Sequence, residues 1–133
     1  MSTVKTGGQT VNQALRCVTS PVINIDNGAG TTLDIVLLVP STAITIHSMY
    51  VLYTTATAGT VAAGNVKIGT TVGGAEIVAA TAFADGATVG TEAALTLVID
   101  EVAAGVPILI RHTGIAATAA GEYIVQMEYA YDA

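Results

Sequence analysis

The side chains able to carry chemistry in this chain are two histidines, one cysteine and ten carboxylates. His47 and His112 both fall in stretches that read as strands. On neighbouring strands they could share a metal ion. No Cys, Asp or Glu near either completes a ligand set, and no His-Glu-x-x-His spacing occurs. They therefore read as two unrelated surface or interface histidines. Cys17 has no partner for an intrachain disulfide and reads as a small buried apolar residue. The carboxylates fall mostly at turns or on polar strand faces, where solvated charge is expected. Asp100-Glu101 lacks the oxygen-rich loop that calcium requires. Ser41 and Ser48 are not set in Gly-x-Ser-x-Gly, so no nucleophile elbow exists. The glycine-bearing run 69–74 lacks the Lys-Ser/Thr of a phosphate loop and leads into no helix. With one Phe and no Trp, aromatic platforms for sugars or bases are scarce. These residues point to a protein without enzymatic activity, cofactor or metal.

Charge narrows the partners. The net charge is −6, with four cations, Lys5, Arg16, Lys67 and Arg111, scattered along the chain. No basic stripe can neutralise phosphates, so direct nucleic-acid binding is not expected. No apolar run reaches the length of a membrane span, and no basic-then-apolar leader is expected from the N-terminus. Only 11% of residues are charged, which leaves a surface of Thr, Ser, Ala and Gly. A lone monomer would carry more charge. Much of this surface is expected to meet other protein.

The elements that must position these residues are strands. The last, 122–131, alternates strictly: Tyr123, Val125, Met127, Tyr129 and Tyr131 against Glu122, Ile124, Gln126, Glu128 and Ala130. That period of two marks a half-buried strand whose tyrosine face seals a core or an interface. Residues 43–54 form the longest strand, with Ile44, Ile46, Tyr50 and Leu52 opposed to Met49, Val51 and Tyr53. A strand apolar on both sides sits mid-sheet with both faces covered. A two-layer fold covers only one of them, so a neighbouring subunit is expected on the other. This motivates a homotrimer, with Lys5, His47, Tyr50, Tyr53, Tyr129 and Tyr131 as interface candidates. Of Tyr50 and Tyr53, one is expected in the core and the other at the interface.

Residues 1–12 read as a polar N-terminal arm, and residues 13–133 as a single domain. Pro21 marks an edge strand or a bend between two short strands. Asp26-Asn-Gly-Ala-Gly30 is a turn. Further strands are expected at 32–39, 65–70, 75–81, 94–99 and 106–112, with a hairpin through Val72-Gly73-Gly74. The Ala/Thr/Gly stretches 55–64 and 113–121 read as loops ordered by contact. About eight short strands with evenly spaced turns and no helix predict an all-β antiparallel sandwich, jelly-roll-like. An immunoglobulin-like sandwich is the alternative, without its Cys–Trp–Cys hallmark.

Several runs carry a resemblance: Ile44-Thr-Ile-His-Ser-Met-Tyr-Val-Leu-Tyr-Thr-Thr, Val66-Lys-Ile-Gly-Thr, Ala94-Leu-Thr-Leu, Ala104-Gly-Val-Pro-Ile-Leu-Ile-Arg-His-Thr and Gly121-Glu-Tyr-Ile-Val-Gln-Met-Glu-Tyr. Over roughly residues 30–131 the chain resembles small virion proteins of tailed bacteriophages. The group it resembles is the capsid decoration, or cement, proteins with a jelly-roll or β-sandwich body. The resemblance implies binding to the outer surface of the phage head, often as a trimer, with the major capsid protein as partner. It also implies assembly in the bacterial host cytoplasm. It transfers no site residue. The alternative function is the host-recognition head domain of a phage fibre or adhesin.

Overall fold

A computed structural model describes the backbone of residues 2–6 and 9–132, and the side chains of residues 14–132. Every regular element is a strand. In chain order they are β1 (Ser2–Thr6), β2 (Gln9–Gln13), β3 (Arg16–Thr19), β4 (Ile23–Asn24), β5 (Thr32–Leu38), β6 (Ile44–Ala58), β7 (Asn65–Gly69), β8 (Val78–Ala82), β9 (Glu92–Ala94), β10 (Glu101–Val102), β11 (Ile108–Thr113) and β12 (Ala120–Tyr131).

Ten of these strands form two antiparallel sheets, so the protein is a β-sandwich. The six-stranded sheet runs β10-β6-β12-β3, with β9 also on β6 and β4 also on β12. The four-stranded sheet runs β5-β11-β7-β8. β3 with β4, and β9 with β10, each lie along one edge of their partner as a single interrupted strand. Counted so, eight strands remain, and their pairings nest around the β7–β8 hairpin. That hairpin is followed outward by β6 with β9 and β10, β5 with β11, and the β3–β4 strand with β12. The chain is thus one long hairpin, rolled up and closed by the β6–β12 and β7–β11 ladders. That is the jelly-roll topology.

The interruption between β3 and β4 has a local cause. Pro21 has no N–H to give a ladder, and the edge of a sheet tolerates it. Just before it, Ser20 holds the edge with both backbone and side chain: its N–H donates to the Val125 carbonyl and its hydroxyl accepts the Val125 amide, each at 2.9 Å. The second interruption departs from expectation. Residues 94–99 do not run as one strand; the chain leaves β6 after Leu95, and Val98 N–H donates to the Ile77 carbonyl at 2.7 Å. It bridges to the segment leading into β8 before returning to β6.

The core lies between the sheets. Ile23, Ile44, Met49, Val51, Tyr53, Tyr123, Val125 and Met127 face it from one sheet, and Val66, Ile68, Ile108 and Ile110 from the other. β6 differs from its sequence reading in a way that matters. Glu128 pairs with Ser48 and Tyr129 with Ile46, so two steps along β6 match one along β12. His47 is the extra residue of a β-bulge. The bulge shifts the phase of the strand, so Ile44 and Ile46 point inward together with Met49, Val51 and Tyr53. Its inward face is apolar from Ile44 through Tyr53, with a step in it, and of the residues expected on the second face only Tyr50 and Leu52 stay outward. The expectation of a second fully apolar face is corrected, and with it the original motive for a trimer.

The Ala/Thr/Gly stretches are ordered by contacts within the chain itself. Asp85 Oδ1 accepts the Val61 and Ala62 amides at 2.6 and 3.2 Å. Val61, Ile115 and Ala119 are buried, and β6 continues through Ala58. At the N-terminus, residues expected as an irregular arm form an antiparallel hairpin, from Ser2↔Gln13 to Thr6↔Gln9.

Candidate interaction surface

The histidines separate at once. His47 sits exposed at the bulge of β6, in the six-stranded sheet. His112 lies on β11, in the other sheet, and its side chain is fully buried. They cannot share a metal, and the surface or interface reading of His112 is corrected. His112 Nδ1 is 2.7 Å from the Tyr123 hydroxyl, and Nε2 is 3.1 Å from Asn27 Oδ1. An amide oxygen only accepts, so Nε2–H donates to Asn27 and Nδ1 accepts from Tyr123. Phe83 completes the cluster, with ring centroids 5.4 Å from His112 and 5.0 Å from Tyr123. Burial pushes His112 down to about 4, partly opposed by the Ile25 backbone. Burial also drives the Tyr123 hydroxyl well above its ordinary range. Both groups are neutral near pH 7 and closed to solvent. The cluster fastens the 26–30 turn to the core. In that turn Gly28 and Gly30 take positive φ, where a side chain would be strained.

Beside this turn lies a hollow of about 370 Å³, lined by Gly30, Ala63, Thr113, Ile115, Ala116 and their neighbours. It presents methyl groups and threonine hydroxyls, and no acid or base. Among the described residues no three His, Cys, Asp or Glu side chains come together as metal ligands.

What remains is the exterior, and the two sheets differ there. Outward positions of the four-stranded sheet include Asp34, Arg111 and Lys67, aligned across β5, β11 and β7. Arg111 makes a bidentate pair with Asp34, both bonds 2.7 Å, which holds the Asp34 carboxyl below its ordinary range. The hairpin loop folds back over this face, with Gly73 against the Arg111 guanidinium. Glu76 fastens the loop by accepting the Thr70 amide at 2.8 Å and the Thr71 amide at 3.2 Å, and its carboxyl is held low by the first of these. Two cations and two carboxylates balance on this side.

The outward face of the six-stranded sheet is built otherwise. Glu92, Leu52 and Ile124 align across β9, β6 and β12, and Ala94, Tyr50, Gln126 and Thr19 form the next row. Ser48, Glu128 and Cys17 follow. Towards the ends stand Glu122, bonded to the Thr55 hydroxyl at 3.0 Å, and Glu101 and Asp132, both bonded to the Thr45 hydroxyl. Tyr50, Leu52 and Ile124 form a half-buried apolar centre with carboxylates around it. The Tyr50 hydroxyl is pushed up by desolvation, then by Glu92, Cys17 and Glu128. Cys17 is exposed on this face, not buried as expected.

The remaining interface candidates distribute unevenly. Tyr53 is 2% exposed and its hydroxyl accepts the Ala84 amide at 2.9 Å, so it belongs to the core. Tyr129 is also core, at 7%. These two are corrected as interface candidates. Tyr50 faces outward. Tyr131 is half-buried, edge-on to Tyr129 at 5.8 Å and under the Arg16 guanidinium at 4.9 Å. The side chain of Lys5 lies outside the described residues. Leu52, Ile124, Glu92 and Glu128 were not singled out from sequence; they become a surface only once the register of the ladders is known.

No family model matches the chain, and no curated protein sequence does. Among solved structures the chain is similar to one from the cyanophage Pam1 capsid asymmetric unit. The TM-score is 0.66 at 13% identity, over 97% of this chain and 93% of that one. At that identity the likeness is one of fold, and it spans the jelly roll from end to end.

Proposed function

We propose that this protein is a structural component of a tailed-phage virion, a decoration or cement protein that binds the outer surface of the head. In this reading it stabilises contacts between subunits of the major capsid protein. The observation that carries it is the full-length likeness to a chain of the cyanophage Pam1 capsid asymmetric unit. The sequence resemblance to decoration proteins and the sparse surface charge lean the same way. In this reading the protein acts by binding. We read it as trimeric on the shell. Support for self-association comes from apolar side chains left exposed along residues 22–39, Val22, Leu33, Val36 and Val39 among them. The N-terminal segment, residues 1–12, is read as lying along a neighbouring subunit. Purified protein mixed with undecorated heads tests the reading by co-sedimentation. Saturable binding that raises the temperature at which heads burst is expected; absence of binding would contradict it.

A further inference from the structure

We propose that the outward face of the six-stranded sheet is the docking face of this protein, and that it takes a protein surface with an apolar patch rimmed by lysine or arginine. The inference deepens the capsid-binding reading above and rests on it.

Three observations converge on this face. The first is its centre: Tyr50, Leu52 and Ile124 stand side by side on the solvent side of the β6–β12 ladder, where nothing in the fold requires large apolar groups. An aromatic and aliphatic centre inside a polar rim is the anatomy of a protein interface, whose centre carries most of the binding energy. The second is charge. Glu92, Glu122 and Glu128 flank that centre, and no described cation pairs with them. Arg16, at the same sheet's edge, lies over Tyr131. Unpaired carboxylates around an apolar patch select a basic counter-surface and repel another acidic one, including a second copy of this face. The third is the contrast with the opposite sheet. There the Asp34–Arg111 pair, Lys67 and the Glu76-fastened loop leave charge balanced and the ladder partly covered by the chain's own hairpin. The six-stranded face is the one where several carboxylates without a described cation surround an apolar centre; the opposite face leaves Lys67 without a described carboxylate and Val36 exposed on its edge strand.

The native cysteine supplies the test. Cys17 lies on this face beside Glu128 and is the only thiol in the chain. Its rate of alkylation by a small maleimide is measured on free wild-type protein and on protein bound to heads. Binding is expected to slow the reaction by about tenfold or more, because an interface excludes reagent and water. In parallel, the double variant Glu92→Lys, Glu128→Lys is expected to lose about tenfold or more in affinity for heads. Lys67→Glu, on the opposite face, is expected to bind as wild type does. Unchanged Cys17 reactivity on bound heads overturns the proposal whatever the variants do. Protection of Cys17 already in the free protein also overturns it, since a second copy would then occupy the face. If wild-type protein does not bind heads, the capsid reading itself fails, and this inference falls with it.

Discussion

The two exterior faces of this sandwich share one core and differ in what they leave unfinished. On the four-stranded sheet, Arg111 grips Asp34 with two bonds of 2.7 Å and the loop of the β7–β8 hairpin closes over the guanidinium. On the six-stranded sheet, Tyr50, Leu52 and Ile124 stand half-buried between carboxylates. An ion pair at the surface adds little stability, so its role on the first face is mainly to neutralise Asp34 and Arg111, with Lys67 alone left without a described carboxylate. The difference teaches where to look for function in a fold without an active site: at the face whose needs the chain does not meet by itself.

Substitutions on the two sides of β6 sharpen that contrast most. Tyr53→Ala removes a core ring and its bond to Ala84, and should cost about 3–5 kcal/mol in denaturant unfolding. Tyr50→Ala should change folding by about 1 kcal/mol or less, while weakening attachment to heads. Equal destabilisation by both would place Tyr50 in the core and break the comparison.

The core between the faces should titrate. His112 has an ordinary value of 6.5 and is held at about 4 in the fold. The unfolded chain therefore binds the proton first, and stability rises with pH across that window. Falling pH should remove the contribution between about 6.5 and 4, up to about 3 kcal/mol in all. Asp34 and Glu76 are held below ordinary carboxylate values, so their contributions disappear only at lower pH. Chemical denaturation in that window should show the slope in wild type and little of it in His112→Leu.

Smaller effects test the satisfied face and the N-terminus. Asp34→Asn should cost about 1 kcal/mol or less and leave head binding unchanged. Deleting residues 2–12 should leave the thermal transition nearly unmoved but weaken binding to heads, because the hairpin they form shares no ladder with either body sheet. Unchanged affinity after deletion would remove the N-terminus from the interface.

Much of the fold was legible in the residues. β12 alternates cleanly from Glu122 to Tyr129, and the structure buries Tyr123, Val125, Met127 and Tyr129. Pro21 announced the broken edge strand. β6 misled because a bulge has no sequence signature: His47 looks like any other strand residue, yet it shifts the phase of the stretch that follows, through Tyr53. His112 misled because its partners, Asn27 and Tyr123, are distant in sequence and meet only across the roll. Cys17 misled because a lone cysteine is usually buried, whereas this one alternates with inward-facing Val18 on an edge strand. The acidic, apolar-centred face was invisible for the same reason. Its members come from β6, β9 and β12, and only register brings them together.

A cryo-EM reconstruction of the parent particle tests the capsid assignment most directly. The expected result is jelly-roll density of this chain outside the major capsid shell, bridging neighbouring capsid subunits, with the six-stranded sheet turned towards them. Density for this chain at a fibre tip, or none on the head, would contradict it.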